Sequence, residues 1–224
     1  YSERFLLEFS HDEVVHGKAT IINKMWGLHG DKLAQVKALY VYMMLHPGKK
    51  LNFMGNELAE YKEWDESKSL GWDILKYPDH DAFHHFAQKL NEIYLKYPAL
   101  YEMDYDLKGF EWLDDHDQCV FAIERKDKAG NAIIAVMNFV GNTHEKYKVP
   151  VNIEGSYKEI LNTDQAVYSG KNIVNPRAIR SKKTKPNEKT KLLNKDHYIE
   201  VKLAPFSACI FEVKPKKETT KKTT

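Results

Sequence analysis

The sequence predicts a chain of mixed class, α/β followed by all-β, with two strand–helix units ahead of an antiparallel β-sandwich. Three observations carry this expectation. Apolar residues recur at helical spacing only before about residue 104. After residue 105 short apolar runs come every ten residues or so, several of them separated by turn signals such as Ala129-Gly130-Asn131 and Val140-Gly141-Asn142. The length of 224 residues exceeds one average domain, and a composition of 42% hydrophobic and 29% charged residues is that of a globular body.

The elements follow in order. Phe5-Leu6-Leu7-Glu8-Phe9 reads as a buried strand whose C-terminal end opens into the polar Ser10-His11-Asp12-Glu13. Asp31 is placed to cap a helix carrying Leu33, Val36, Leu39, Tyr40, Met43 and Met44, which Pro47-Gly48 stops. Lys50-Leu51-Asn52-Phe53-Met54 reads as a second strand ending in Gly55-Asn56-Glu57. Beyond a loop holding Trp64 and Trp72, a second amphipathic helix runs from Phe83 through Phe86, Leu90 and Ile93 to the stop at Pro98.

Strands are then expected over 110–113, 119–125, 132–139, 147–151, 157–161, 197–203 and 207–213, with the domain boundary near Asp104. This divides the chain into 1–104, 105–213 and a Lys-rich tail, 214–224, expected to be disordered. Two strand–helix units alone leave bare edges and helix faces without partners, so residues 1–104 read as the closing part of a larger parallel sheet or barrel. The first methionine is Met25, which fits the expectation that the chain is a piece of something longer.

Several function classes drop out on composition. No apolar run approaches the roughly 18 residues of a membrane span. Residues 1–125 carry 14 Lys and Arg against 22 Asp and Glu, and residues 126–224 carry 20 against 10. The basic excess lies mostly in 180–191 and 214–224, and neither run has the interleaved aromatics of a nucleic-acid surface. The two cysteines, Cys119 and Cys209, both sit in apolar stretches and read as buried small hydrophobes of a reducing, cytoplasmic protein.

Chemistry concentrates in Ser10-His11-Asp12-Glu13-Val14-Val15-His16-Gly17-Lys18, which packs two His, two acids and a Lys into nine positions just past a strand. In barrels, the loops at the C-terminal ends of strands hold the reacting groups. His11 and His16 lie five apart on a loop with no further ligand at a recognised spacing, so neither a metal nor a cofactor is expected.

The segment from Phe5 to Lys18 resembles the seventh-strand motif of bacterial-type 1,4-α-glucan branching enzymes of the α-amylase superfamily. His46-Pro47-Gly48-Lys49-Lys50-Leu51-Asn52-Phe53-Met54-Gly55-Asn56-Glu57 resembles their eighth strand and its approach. Shorter matches run through Glu63-Trp64, Tyr97-Pro98-Ala99-Leu100, Gly109-Phe110-Glu111-Trp112 and Leu161-Asn162-Thr163-Asp164. The resemblance implies the last two βα units of an eight-stranded β/α barrel followed by a C-terminal β-sandwich. It also implies cleavage of an α-1,4-glucan and transfer of the chain to a 6-hydroxyl by a retaining mechanism. Such chemistry needs a carboxylate nucleophile and an acid/base about 5 Å apart, which the family places on strands outside this sequence.

Onto this chain the resemblance carries Asp12 as transition-state stabiliser and His11 beside it, both contacting sugar hydroxyls, with Glu13 either shaping the acceptor side or closing a salt bridge within the loop. Trp64 and Trp72, and less strongly Tyr61 and Trp26, are the flat aromatics that can stack on glucose or simply pack. The chain departs from the family where Leu58-Ala59-Glu60-Tyr61-Lys62 replaces the usual Phe-Gly-Gln continuation, and where Trp26 replaces a common proline. Two further readings stay open: another hydrolase of the same superfamily, and a glucan-binding module without catalysis.

Overall fold

Both predicted helices form, each ended as its sequence dictates. The first, α1, spans His29–Leu45 and stops before Pro47; the second, α2, spans Pro78–Lys96, with proline at its first position, where no N–H is needed. Asp31 is not the N-cap of α1. It stands in the first turn, and its carboxylate accepts the N–H of Leu28, the residue that flanks the helix. The computed structural model describes residues 9–114 and 119–216. The first predicted strand therefore lies outside the described residues except for Phe9, which forms a parallel bridge with Asn52.

Among the described residues nine strands follow α2: β1 (Phe110–Trp112), β2 (Val120–Lys126), β3 (Ala132–Asn138), β4 (His144–Val151), β5 (Gly155–Asn162), β6 (Ile179–Arg180), β7 (Lys182–Lys183), β8 (His197–Leu203) and β9 (Ser207–Pro215). They make two antiparallel sheets, one in the order β1-β2-β3-β9-β5-β6 and one in the order β4-β8-β7. The seven expected strands are all present. The two-residue β6 and β7 were not expected, because a pair of residues carries no readable period. The final strand also runs further than the sequence suggested: Lys214 and Pro215 belong to β9, and Lys216 donates its N–H to the Glu154 carbonyl. The rest of the expected tail, 217–224, lies outside the described residues.

Burial explains how the layers stack. Along β3, Ile134 and Val136 face β4 and β8, packing with Val149, Ile199 and Val201. The alternate residues Ile133, Ala135 and Met137 face the other way and join Val36, Val41 and Leu45 of α1 and Phe86 of α2 in a second core. Strand β9 divides likewise, with Cys209 and Phe211 on one side and Ala208 and Ile210 on the other. The six-stranded sheet is thus a wall shared by two cores, and the helix faces that lacked partners within 1–104 are covered by it. Deleting Leu45 to alanine in such a core costs about 2–5 kcal/mol. Among the described residues no helix is long and apolar enough to cross a membrane.

Cys209 is buried as expected, and burial pushes its thiol well up. Cys119 is not: it is exposed, with φ of 52° at the entry to β2, because its place there is set by its carbonyl, which accepts the Phe139 N–H.

Candidate active site

Phe9 fixes the loop that follows it. Its N–H donates to the Leu51 carbonyl at 3.2 Å, and its own carbonyl accepts from Phe53 N–H at 2.8 Å, the slanted pair of bonds of a parallel bridge. The side-chain amide of Asn56 reaches the same carbonyl at 3.4 Å. His11–Glu13 then form one 3-10 turn, closed by Val14 N–H on the His11 carbonyl at 2.9 Å. Val14 and Val15 are buried and act as pegs, so the turn presents His11 and Asp12 outward. The Asp12 carboxylate lies 3.3 Å from the His11 imidazole, with both side chains more than half exposed.

Beyond the pegs the backbone takes the left-handed conformation at His16, Gly17 and Ala19, with φ of 57°, 78° and 65°. For His16 and Ala19 this costs about 1 kcal/mol or more each. Two charged groups stabilise the arrangement. The Glu63 carboxylate accepts the N–H groups of Gly17 at 2.9 Å and Ala19 at 2.6 Å, and these bonds, Gly17's first, hold it below the usual carboxylate range. From the other side the Lys24 ammonium donates to the carbonyls of Glu13 and Lys18, both at 2.6 Å, and of Ala19 at 3.3 Å. Lys24 thus meets Glu13 through its main chain.

Trp64 belongs to the same assembly. Its N–H donates to the Val14 carbonyl at 3.0 Å, and its ring meets Phe53 edge-on with centroids 5.2 Å apart. Phe53 in turn lies 5.9 Å from His11, so one phenyl ring spaces the imidazole from the indole. Trp64 also lines a cleft of about 700 Å³ whose polar wall includes Glu60, Asp65, Lys68 and Asp73. An indole beside mixed carboxylates and ammonium groups offers an apolar face together with donors and acceptors, which suits a ligand rich in hydroxyls. The cleft runs through the 58–62 segment where the sequence departs from the family.

Trp72 stands apart from this group. It lies between two residues that line the cleft, Gly71 and Asp73, but turns its ring edge-on to His84 of α2 at 6.3 Å and remains 52% exposed. Tyr61 joins a different polar chain: its hydroxyl is 2.7 Å from His29 Nδ1, and His29 Nε2 is 3.1 Å from Asp79. Trp26 is 74% exposed and lies 6.4 Å from Phe206. Sequence reasoning missed Lys24 and the acceptor role of Glu63. The Gly-containing turn signals only that its main-chain groups need partners, not which residues supply them.

Comparison with known proteins gives the site its context. Residues 112–214 match the alpha amylase, C-terminal all-beta domain. Over 97% of its length the chain is 41% identical to a 1,4-alpha-glucan branching enzyme of Oceanobacillus iheyensis, of which it covers 34%. Over 78% of its length it is 46% identical to the branching enzyme of Aquifex aeolicus, covering 28% of that protein. The chain therefore spans about a third of the length of the curated relatives it matches. Among solved structures, the catalytic module of the pneumococcal glycogen-degrading virulence factor SpuA aligns over 92% of the chain and 36% of its own, with a TM-score of 0.60 at 11% identity. The Nostoc punctiforme debranching enzyme aligns over 80% of the chain and 31% of its own, with a TM-score of 0.53 at 15% identity. The structural likenesses show a shared fold, and across nearly all its length the chain is similar in sequence to bacterial 1,4-alpha-glucan branching enzymes.

Proposed function

We propose that the chain is the C-terminal part of a cytoplasmic 1,4-α-glucan branching enzyme. Residues 1–104 supply the last two βα units of its catalytic eight-stranded barrel, and the strands from residue 105 onward form its C-terminal β-sandwich domain. The observation that supports the reading most is the parallel bridge of Phe9 with Asn52, followed directly by the His11–Glu13 turn, as expected of a loop that follows a barrel strand.

The chemistry follows from that placement. In retaining transfer a carboxylate displaces the glucan at C1 while a second carboxyl protonates the departing oxygen; the sugar 6-hydroxyl of an acceptor then takes the carboxylate's place and forms the α-1,6 link. Both carboxyl groups come from the remainder of the protein. Asp12 binds hydroxyls of the sugar at the cleavage point, and its fixed negative charge stabilises the positive charge that the ring gains in the transition state more than it stabilises the bound ground state. His11, 3.3 Å away, donates to the same sugar and orients that carboxylate. Glu13 faces the acceptor, and Trp64, which lines the cleft, offers its ring surface to the α-1,4-glucan chains.

The test is made on the full gene product incubated with amylose, scoring new α-1,6 links by chain-length analysis after debranching. The native protein is expected to form branches, and Asp12→Asn is expected to lose about 10²-fold or more while remaining folded. Release of reducing ends without branches would assign a hydrolase instead, and binding without turnover would assign a glucan-binding module.

A further inference from the structure

We infer that Glu63, acting with Lys24, is the positioning device that holds Asp12 in its working place. The inference rests on the site reading above and adds residues that the resemblance does not assign. Asp12 stands on a single 3-10 turn, a poor support, since so short a helix has little cooperativity of its own. On its N-terminal side the turn is tied to Leu51 and Phe53 through the main chain of Phe9. On its C-terminal side the chain enters three left-handed residues within four positions, which is unfavourable backbone for His16 and Ala19.

That conformation is what presents the Gly17 and Ala19 N–H groups to one point, and Glu63 occupies it with both oxygens engaged, one on each N–H. A concave run of main-chain N–H groups is an anion site, and here a side chain of the protein fills it. Lys24 complements this from the carbonyl side by gathering Glu13, Lys18 and Ala19, the first of which adjoins Asp12. Trp64, next to Glu63, hydrogen-bonds Val14 at the end of the Asp12 turn. One short segment, Glu63-Trp64, thereby fixes the loop at two places and contributes a wall of the cleft. None of these contacts involves the Asp12 carboxylate itself, which meets His11 and points outward while the loop on either side of it is held.

A group held this way loses function by displacement. A misplacement on the order of 1 Å can cost about 10²-fold in rate. Glu63→Gln keeps the size of the side chain but can accept only one of the two N–H bonds, since its amide nitrogen is a donor. In the full gene product we expect kcat for branching to fall roughly 10- to 100-fold with KM for amylose changed less than about threefold, because the loss falls on the transition state.

The deciding measurement places Glu63→Gln in the Asp12→Asn background. A residue that acts through Asp12 has nothing left to position there, so the second substitution should cost less than about twofold, whereas a general structural role would add its full loss again. If Glu63→Gln does not fold, Lys24→Met leaves Glu63 in place and removes the carbonyl side of the clamp, and it is expected to show the same split and the same non-additivity. Unimpaired Glu63→Gln beside a strongly impaired Asp12→Asn, or equal losses in both backgrounds, would overturn this inference alone. A fully active Asp12→Asn enzyme would overturn the site reading and the inference with it.

Discussion

The Asp104 carboxylate lies 2.5 Å from a guanidinium nitrogen of Arg125, and both side chains are buried. Arg125 donates also to the carbonyl of Leu45, the last residue of α1, at 2.7 Å and to that of Gly109 at 3.2 Å. One guanidinium from β2 therefore joins the end of a helix, the segment after α2 and the first turn before β1. Burial pushes its pKa down and Asp104 opposes that, so the ion is kept charged by its partner. Asp104→Ala would strand a buried cation, a change that costs about 3–5 kcal/mol. Urea denaturation of the chain should show that loss in the midpoint at unchanged slope. A loss below about 1 kcal/mol would mean that the two carbonyls suffice.

Lys37 predicts a pH dependence. Its ammonium on α1 donates to the Tyr168 carbonyl at 2.6 Å, and burial pushes its pKa down to about 8, against the opposing carboxylates of Asp164 and Asp79. The sign follows from proton counting. Between about pH 8 and the unfolded value near 10.5, the unfolded chain holds a proton that the folded chain has released, so stability rises with pH across that window. Below pH 8 both states are protonated and the full cost of burying the charge remains. The buried Cys209 thiol and tyrosines such as Tyr157, all pushed up, work in the opposite direction. Comparison with Lys37→Met cancels them. From pH 8 to 9.5 the native chain should gain up to about 2 kcal/mol relative to that variant; a constant difference would show that Lys37 does not titrate there.

How much of this was legible depends on the signal each feature leaves in the chain. Helices α1 and α2 and the seven longer strands were readable because period and stop residues agree, as at Leu33 to Met44 before Pro47. The shared wall was not drawn from the sequence, although its trace is there: Ala132 to Met137 is apolar at every position, and a strand with one solvated face would alternate. Asp12 and His11 were found by motif, but the clamp was not. Glu63 and Lys24 act on main-chain groups 44 and 46 residues away or across a loop, and nothing local in the sequence marks which carbonyl or N–H a charged residue will meet. For the same reason Trp64 and Trp72 read alike in sequence and differ in structure.

That difference is testable in the full gene product. Trp64 packs on Phe53 and lines the cleft that adjoins the Asp12 loop, so Trp64→Ala should weaken amylose affinity by about tenfold, near 1.4 kcal/mol. Trp72 faces His84, and Trp72→Ala should change affinity less than about threefold. Equilibrium binding of maltooligosaccharides measures both, and the reverse order would move the glucan path to the α2 side.

Residues 1–224 alone are expected to carry out no glycosyl transfer and yet to unfold as one body. Transfer needs a nucleophile and an acid/base in addition to the stabilising Asp12. The neighbouring carboxylates are poor substitutes: Glu57 accepts the Gly55 N–H at 3.0 Å, and Glu63 is committed to Gly17 and Ala19. Glu13 adjoins Asp12 on the same turn and cannot approach the opposite face of a sugar bound there. Stability leads to a different expectation from the one that two unsupported strand–helix units suggested. Val36, Val41 and Leu45 of α1 share a core with Ile133, Met137 and Ile210, and Arg125 locks the end of α1 to β2. Helix and sheet should therefore open together, with amides of α1 protected from hydrogen exchange to nearly the level of β3 and β9. Amides of residues 65–71, which lie between the 3-10 turns and outside any strand, should exchange fast. Assay of the purified chain on amylose for α-1,6 links checks the first half, and turnover there would mean that its own carboxylates suffice. Rapid exchange throughout α1 beside a protected β3 would show that the shared core does not couple the two parts.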